Sequence, residues 1–496
     1  MMKARFPRYP SLYQINTRVR LQEIATQKGR PATLDDLPDE EFDYLARAGF
    51  DIVWLLGVWQ TGPAGLKLSL AHPEWRQGYR TTLPDYRDDD CCSSPFAVFD
   101  YHVNRDFGGD EALKRVRQRL AKYGLRLMLD FVPNHSALDH PWVMQHPDFY
   151  VTGTDEQLVS QPQNYIRMKA GLGEQILAYG RDPYFPGWPD SLQLNYGNPN
   201  LQAAMLGELQ RIATQCDGVR CDMAMLELPE VFQRTWGIEA QPFWPKAIEA
   251  VREKNPKFVF MAEVYWGLEW TLQQQGFDYT YDKRLYDRLL DRTARPVRQH
   301  LMAGVNYQSK LARFLENHDE PRAAATFIPA AVHKAAAIIT FLTPGLRFLH
   351  QGQLQGKKVW ISMHLGRGPD EPVDREIEDF YSALLHVIDS PAIRDGNWRL
   401  LTCRAAWDGN WTWDSFVAFG WEGPPGERHL IAVNYSDHQS QCYVAIPWPG
   451  MDGRKWRLRD RMGSSVYDRD GNDLSQRGLY LDLPAWGFNV FEVTVL

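Results

Sequence analysis

Short runs of β-branched and aromatic residues alternate with helical patterns along most of the chain, and this alternation limits the possible folds more than any other feature. Strands that alternate with helices pair in parallel, because each helix returns the chain to the start of the next strand. The predicted strands cover residues 12–17, 51–58, 125–132, 218–223, 258–264, 277–281, 312–316 and 346–350. Eight such repeats predict an α/β fold, a closed (β/α)₈ TIM barrel.

The segments between these strands show helical periodicity. In residues 110–123, Leu113, Val116 and Leu120 recur on one face, and Gly124 follows as a C-terminal stop. The other predicted helices cover residues 39–48, 201–215, 245–254, 329–342 and 375–388.

Two departures from the regular repeat predict further domains. Residues 136–189, after the third strand, are far longer than one helix requires and are rich in Pro, Gly, Asp and aromatics, which predicts a small inserted domain. Residues 399–496 alternate apolar and polar positions between turn signals, which predicts an antiparallel β-sandwich. The barrel domain then comprises residues 1–135 and 190–398.

Charge and composition exclude several classes of partner. The chain carries 55 Lys and Arg against 62 Asp and Glu, a formal charge of −7, so neither nucleic acid nor an anionic membrane is expected as a partner. No apolar run is long enough to cross a bilayer, and residues 1–13 do not have the pattern of a signal peptide. Six cysteines fit neither a zinc site nor a disulfide framework, so we expect a cytoplasmic protein. The oligomeric state cannot be read from these patterns.

Polar side chains cluster where four of the predicted strands end, which is the edge of a TIM barrel that carries active sites. Taken singly, each acid could be a structural ion pair or a helix cap. Together they predict a catalytic rim, because cleavage of a glycosidic bond uses a pair of carboxyl groups. The four clusters are Asp130 to His135, Arg220 with Asp222, Glu263, and His318 with Asp319.

These segments resemble the alpha-amylase family, family thirteen of the glycoside hydrolases. The matching motifs are DFVPNH (130–135), GVRCD (218–222), MAE (261–263) and ENHD (316–319), with a weaker match in WPDSLQLN (188–195). They occur in the family's order, and the predicted terminal β domain also fits, so the resemblance covers nearly the whole chain.

The resemblance implies a retaining mechanism. Asp222 would be the nucleophile, Glu263 the general acid and base, and Asp319 a ligand of sugar hydroxyls. Arg220 would keep Asp222 ionised, and the pair Tyr265 and Trp266 would exclude water from Glu263. The substrate-binding positions that the resemblance implies are Arg220, His135, His318, Phe96, Asp130, Tyr265 and Trp266.

Three departures from the family pattern bear on specificity. Met225 and Leu226 replace a Lys-His pair associated with leaving-group contacts and calcium, so we expect no metal and no other cofactor. Ala97 replaces the Asp with which the family's exo-acting glucosidases hold a chain end, which argues against removal of terminal glucose. The segment from His350 to Gln353 also departs from the family's usual form and leads into a long loop at residues 354–374. This loop carries Lys357, Lys358, His364 and Arg367; binding of a phosphorylated or charged acceptor is one interpretation, and we expect solvated surface.

The sequence therefore predicts an enzyme that hydrolyses internal α-1,4-glucosidic bonds in maltooligosaccharides or in glycogen- or starch-like glucans. One alternative is a transglycosylase of the same family, a 4-alpha-glucanotransferase or a trehalose-forming enzyme, because both classes use the same covalent intermediate. A non-catalytic glucan-binding protein is a third interpretation, against which the intact Asp222, Glu263 and Asp319 argue.

Overall fold

A computed structural model describes residues 6–424, 426–446 and 448–496. The strands up to the end of the barrel are β1 (Ser11–Asn16), β2 (Ile52–Leu56), β3 (Trp59–Thr61), β4 (Val98–Val103), β5 (Arg126–Phe131), β6 (His135–Ala137), β7 (Tyr165–Ala170), β8 (Gly173–Gly180), β9 (Trp188–Gln193), β10 (Gly218–Cys221), β11 (Val259–Ala262), β12 (Tyr279–Tyr281), β13 (Leu311–Arg313) and β14 (Leu346–His350). Those that follow are β15 (Asn397–Leu400), β16 (Cys403–Arg404), β17 (Phe416–Glu422), β18 (Arg428–Asn434), β19 (Ser440–Val444), β20 (Lys455–Asp460), β21 (Val466–Asp470), β22 (Leu479–Leu483) and β23 (Phe488–Val495).

The α-helices are α1 (Thr17–Lys28), α2 (Asp39–Arg47), α3 (Pro63–Ala71), α4 (Pro73–Thr82), α5 (Gly109–Lys122), α6 (Pro141–Gln145), α7 (Asp155–Ser160), α8 (Pro199–Gln215), α9 (Pro229–Trp236), α10 (Trp244–Lys254), α11 (Glu269–Gln274), α12 (Lys283–Leu290), α13 (Ala294–Leu301), α14 (Val305–Gln308), α15 (Ala323–Thr326), α16 (Ala330–Phe341), α17 (Arg375–Ile388), α18 (Pro391–Asp395) and α19 (Gly471–Gln476). No helix within the described ranges combines the length and hydropathy needed to cross a bilayer.

Eight parallel strands close into a barrel in the order β1-β14-β13-β12-β11-β10-β5-β2, and each corresponds to one of the eight predicted strands. The predicted TIM barrel is confirmed. Its strands are rich in apolar residues and almost wholly buried, because the barrel core covers one face and the surrounding helices cover the other. In α5 the buried side chains include Leu113, Val116 and Leu120, the face that the periodicity predicts.

Two long segments leave the barrel after β2 and β5. Residues 57–97 lead through β3, α3 and α4 before β4 pairs back onto β3, an excursion that the strand–helix alternation does not predict because it adds no barrel strand. After β5, a four-stranded antiparallel sheet in the order β6-β9-β8-β7 occupies residues 135–193. Its last strand, β9, ends at Gln193 rather than at residue 189.

The C-terminal domain is antiparallel, as predicted. Its sheets run in the orders β15-β17-β18-β23-β20-β21 and β16-β19-β22 and share one apolar core. Trp421 of β17 connects this domain to the barrel, because its indole N–H donates to the carbonyl of Leu342 at 2.7 Å. Residues 468–473 form the end of β21 and the start of α19, with Asp470 as the helix cap.

Arg347 of β14 is a buried cation whose partners are backbone carbonyls. Its guanidinium donates to the carbonyl oxygens of Tyr9, Phe341 and Ile393 at 2.6 to 2.9 Å, which joins the segment before β1 to α16 and α18. Burial lowers the pKa of Arg347 to about 9. The three carbonyl oxygens hold the guanidinium in place, and the guanidinium supplies them with hydrogen-bond donors.

We expect Arg347→Met to lower the free energy of unfolding by about 3 kcal/mol, because buried carbonyls would lose a charged donor. Urea denaturation measures the change. The matched control is Arg375→Met, since Arg375 is 78% exposed and its ion pair is with Glu378 in its own helix. Equal stability of the two variants would show that the Arg347 contacts contribute nothing.

Candidate active site

Arg220 is the central charge of the barrel mouth. It lies in β10 and is 1% exposed, and its guanidinium forms ion pairs with Asp222 and with Glu263, the latter at 2.7 Å. Asp222 follows β10 directly and Glu263 follows the adjacent β11, so parallel pairing brings the two carboxylates to one cation. The predicted neighbourhood of these three residues is present in the structure.

Aromatic rings surround the guanidinium of Arg220. Its Cζ atom lies 5.5 Å from the ring of Trp54, 5.2 Å from that of Phe96 and 5.7 Å from that of Tyr281. Its Nε also donates to the hydroxyl oxygen of Tyr281 at 3.2 Å. Ring faces stabilise a cation without neutralising it, so Arg220 keeps its charge for the two carboxylates.

Glu263 accepts hydrogen bonds on both carboxylate oxygens. The hydroxyl of Tyr265 donates to Oε1 at 2.8 Å, and the backbone N–H of Met223 donates to Oε2 at 2.8 Å. Burial raises the pKa of Glu263; Arg220 opposes the rise, and the negative charge of Asp222 adds to it. A carboxyl group with a raised pKa next to an opposing carboxylate is suited to donate a proton.

Burial also raises the pKa of Asp222, and the ion pair with Arg220 opposes that rise. Asp319 differs from the other two acids because its side chain remains 43% exposed, while its Oδ2 lies 3.1 Å from Nε2 of His318. The other ring nitrogen of His318 lies 2.9 Å from the side-chain amide of Gln14. Asp319 therefore offers an accessible carboxylate beside two buried ones.

Asp130 lies beneath the pocket rather than in its wall. Its carboxylate accepts from the indole N–H of Trp54 at 3.1 Å and from the backbone N–H of Gly57 at 2.7 Å, and burial raises its pKa to about 7. Gly57 has a φ of +77°, and a Cβ there would lie 2.7 Å from Pro95, so only glycine fits this turn. The structure makes Asp130 a support for the pocket floor.

His135 and Trp266, both predicted to bind substrate, have different positions. His135 lines the pocket with its ring 5.1 Å from that of Trp188, and burial lowers its pKa to about 4, which leaves a neutral ring at physiological pH. Trp266 is 37% exposed and packs edge-on against Tyr184, outside the pocket. The residues around Glu263 that exclude water therefore include Tyr265 but not Trp266.

One pocket of about 390 Å³ brings most of the predicted residues together. The predicted residues that line it are Phe96, His135, Asp222, Glu263, Tyr265, His318 and Asp319. Its walls also contain five residues that were not predicted to bind substrate: Trp75, Trp188, Asp190, Trp360 and His364. Trp188 and Asp190 belong to the weaker match WPDSLQLN, and His364 belongs to the loop expected to be solvated. For Trp75 and Trp360 the sequence signal was the high aromatic content of the chain, which does not specify positions.

The loop at residues 354–374 was expected to be solvated surface, and for its central part this is wrong. The imidazole of His364 stacks on the ring of Trp75 at 4.3 Å, and its Nε2 lies 3.3 Å from Oδ2 of Asp190. The indole N–H of Trp360 donates to the carbonyl of His318 at 2.9 Å. These contacts hold the loop over the pocket, although Lys358 does remain 59% exposed.

The residues next to Asn134 do not fit the calcium ion that the resemblance raises. The side-chain amide nitrogen of Gln193 donates to the backbone oxygen and Oδ1 of Asn134 and to the carbonyl of Leu194, at 2.8 to 3.1 Å. The Gln193 oxygen accepts from the backbone N–H of Arg181, which agrees with this amide orientation. A cation prefers such oxygens as ligands, but here an amide N–H₂ group is bonded to them.

Residues 39–380 match the family model described as alpha amylase, catalytic domain. Curated relatives include alpha-amylase MalA of Haloarcula japonica, 22% identical over 72% of this chain and 46% of that protein. Another is the oligo-1,6-glucosidase of Parageobacillus thermoglucosidasius, 22% identical over 63% of this chain and 59% of that protein. The chain spans about half the length of the curated relatives it matches.

Solved structures share the fold along the whole chain. The maltogenic alpha-amylase AmyB of Thermotoga neapolitana superposes with a TM-score of 0.69 at 17% identity, with 99% of both chains covered. The alpha-amylase of Geobacillus thermoleovorans, solved with acarbose, gives a TM-score of 0.67 at 18% identity, also with 99% of both chains covered. Fold and site together define a TIM-barrel protein with a carboxylate-lined pocket at the C-terminal ends of its strands. The chain belongs to the alpha-amylase family.

We expect Gln193→Ala to lower the free energy of unfolding by about 2 kcal/mol, because Asn134 Oδ1 and the Leu194 carbonyl would lose their donor. Excess chelator should leave the melting temperature of the unmodified protein unchanged. In Gln193→Asp, which places a carboxylate among the same oxygens, added calcium should raise the melting temperature. The control is Gln439→Ala at an exposed glutamine, and a fall in the unmodified protein's melting temperature with chelator would contradict the prediction.

Proposed function

We propose that the protein is a retaining α-glycosidase that hydrolyses α-1,4-glucosidic bonds of maltooligosaccharides or of glycogen- or starch-like glucans. The observation that carries the proposal is the convergence of Asp222, Glu263 and Asp319 on one pocket around the buried cation of Arg220. Family membership and relatives named as amylases and glucosidases support the same reaction class.

The first step forms a glycosyl ester. A carboxylate oxygen of Asp222 attacks the anomeric carbon while the bond from that carbon to the glycosidic oxygen breaks. Glu263 donates its proton to the departing oxygen, so the leaving sugar departs as a neutral alcohol. The ion pair with Arg220 holds Asp222 in its nucleophilic, ionised form, and the exposed carboxylate of Asp319 faces the ring hydroxyls.

The second step hydrolyses the ester. Glu263, now a carboxylate, takes a proton from water, and the water oxygen attacks the anomeric carbon and displaces Asp222. Two displacements at one carbon restore the α configuration. The flat rings of Phe96 and Trp188 in the pocket wall supply apolar faces against which a sugar ring packs.

We expect Asp222→Asn to lower kcat/KM at least about 10³-fold, because an amide is a poor nucleophile. A fluorinated glucosyl donor should add one sugar mass to the peptide that contains Asp222. Asp217→Asn is the matched control: Asp217 immediately precedes the same strand and pairs with Arg117 at 2.7 Å. Labelling elsewhere, or full activity of Asp222→Asn, would refute the assignment.

A product profile from maltoheptaose tests whether water is the acceptor. We expect shorter products and a steady rise in reducing ends. Longer and shorter products at a constant number of reducing ends would mean a transglycosylase, in which a sugar rather than water resolves the ester at Asp222.

We expect Tyr265→Phe to move the alkaline limb of the kcat/KM profile upward by roughly half to one pH unit. The Tyr265 hydroxyl stabilises the ionised form of Glu263, so its loss raises the pKa of Glu263 further. A general acid must be protonated, and activity is lost as pH rises through its pKa; a higher pKa keeps the enzyme active to higher pH. Tyr184→Phe, at an exposed ring outside the pocket, should leave the profile unchanged.

A further inference from the structure

Three segments from different strands cover one half of the barrel rim. They are residues 57–97 after β2, residues 135–193 after β5, and residues 354–374 after β14. In the barrel, β14, β1, β2 and β5 are consecutive neighbours, so the three segments, which we call the roof, lie side by side. The backbone N–H of Ala64 donates to Asp139 at 2.8 Å, which ties the first segment to the second.

Ion pairs and backbone bonds connect the roof's third segment to its first. The guanidinium of Arg367 binds the carboxylates of Asp85 and Asp90 at 2.6 to 2.9 Å. The backbone N–H of Cys92 donates to the carbonyl of His364 at 2.9 Å. These contacts position His364 relative to the excursion after β2.

The roof closes over the pocket through three side chains. His364 lies 3.3 Å from Asp190 of the inserted sheet and stacks on Trp75 at an interplanar angle of 23°. Trp75 in turn stacks on His72 at 4.4 Å. We call His364, Asp190 and Trp75 the end wall; all three line the same pocket as the catalytic carboxylates.

The position of Glu263 decides which end of the substrate meets this wall. Glu263 protonates the leaving oxygen, and it follows β11 on the half of the rim that the roof does not cover. The leaving group therefore lies on the Glu263 side of the anomeric carbon. The glycone, the part that becomes bonded to Asp222, extends from Asp222 toward the roof. At about 390 Å³, the pocket is near the lower limit of ligand sites, which typically have ~300–1,000 Å³.

We propose that the end wall terminates the glycone side of the pocket, so that the enzyme removes a short unit from non-reducing chain ends rather than cutting internal bonds. This inference rests on the proposed function and names its substrate class: short α-glucosides and the free ends of longer chains. The Asp190–His364 pair presents a carboxylate and an imidazole to the hydroxyls of the terminal sugar. Because Ala97 replaces the Asp that holds a chain end in the family's exo-acting glucosidases, this chain lacks that contact. The end wall takes its place with residues from other segments of the rim.

The experiment compares two chromogenic maltoheptaosides, one with a free non-reducing end and one whose terminal glucose carries an ethylidene acetal. We expect the blocked compound to be turned over at least about 100-fold more slowly, because the acetal collides with the end wall. Equal rates with internal cleavage would overturn the end wall and leave the proposed function intact. No turnover of either compound, with no labelling of Asp222, would overturn both.

Two variants test the wall itself. His364→Ala should reduce the preference for the free end at least about tenfold, because the wall opens. Asp190→Asn keeps the shape of the side chain and should raise KM for the free-ended compound about tenfold, with kcat within roughly threefold. The control His386→Ala, at an exposed histidine of α17, should match the unmodified enzyme. An unchanged preference in His364→Ala, or an unchanged KM in Asp190→Asn, would overturn the assignment.

Discussion

The buried positive charge of Arg220 is the interaction on which the barrel mouth depends. A guanidinium that is 1% exposed is tolerated only because Asp222 and Glu263 pair with it and three aromatic rings face it. The same pairing keeps two carboxylates close together in a site from which water is largely excluded. Removing any one of the three charges would leave buried charge uncompensated. The stability of the pocket floor and the chemistry of the pocket therefore depend on the same ion pairs.

The floor and the roof of the pocket have different structural sources. The floor consists of side chains at the ends of hydrogen-bonded strands, and the pairing of β10 with β11 places Asp222 and Glu263 side by side. The roof consists of excursions whose mutual contacts, such as Arg367 with Asp85, join parts of the chain that are remote in sequence. Because the carboxylates and the covering loops come from different parts of the fold, the loops can change substrate specificity while the reaction stays the same.

Local patterns predicted the floor well and the surroundings poorly. The eight strands were found from composition and period, and the acids from short motifs at strand ends, because each feature lies within a few consecutive residues. Trp266 illustrates the limit: it is adjacent to Tyr265 in sequence, yet the backbone turns at a φ of +60° and directs it away from the pocket. Asp130 matched its motif, but the hydrogen bonds from Trp54 and Gly57 place it beneath the floor.

The order and chemistry of the strand ends are properties of the linear chain, and they were enough to indicate a barrel, its carboxylates and its family. The shape of the pocket is a property of the folded molecule alone. His364 and Asp190 meet across 174 residues, and the amide of Gln193 reaches Asn134 across 59 residues. The periodicity of a sequence indicates which face of a helix or strand is buried. These contacts depend instead on how separate loops pack on one rim, and no local sequence pattern encodes that packing.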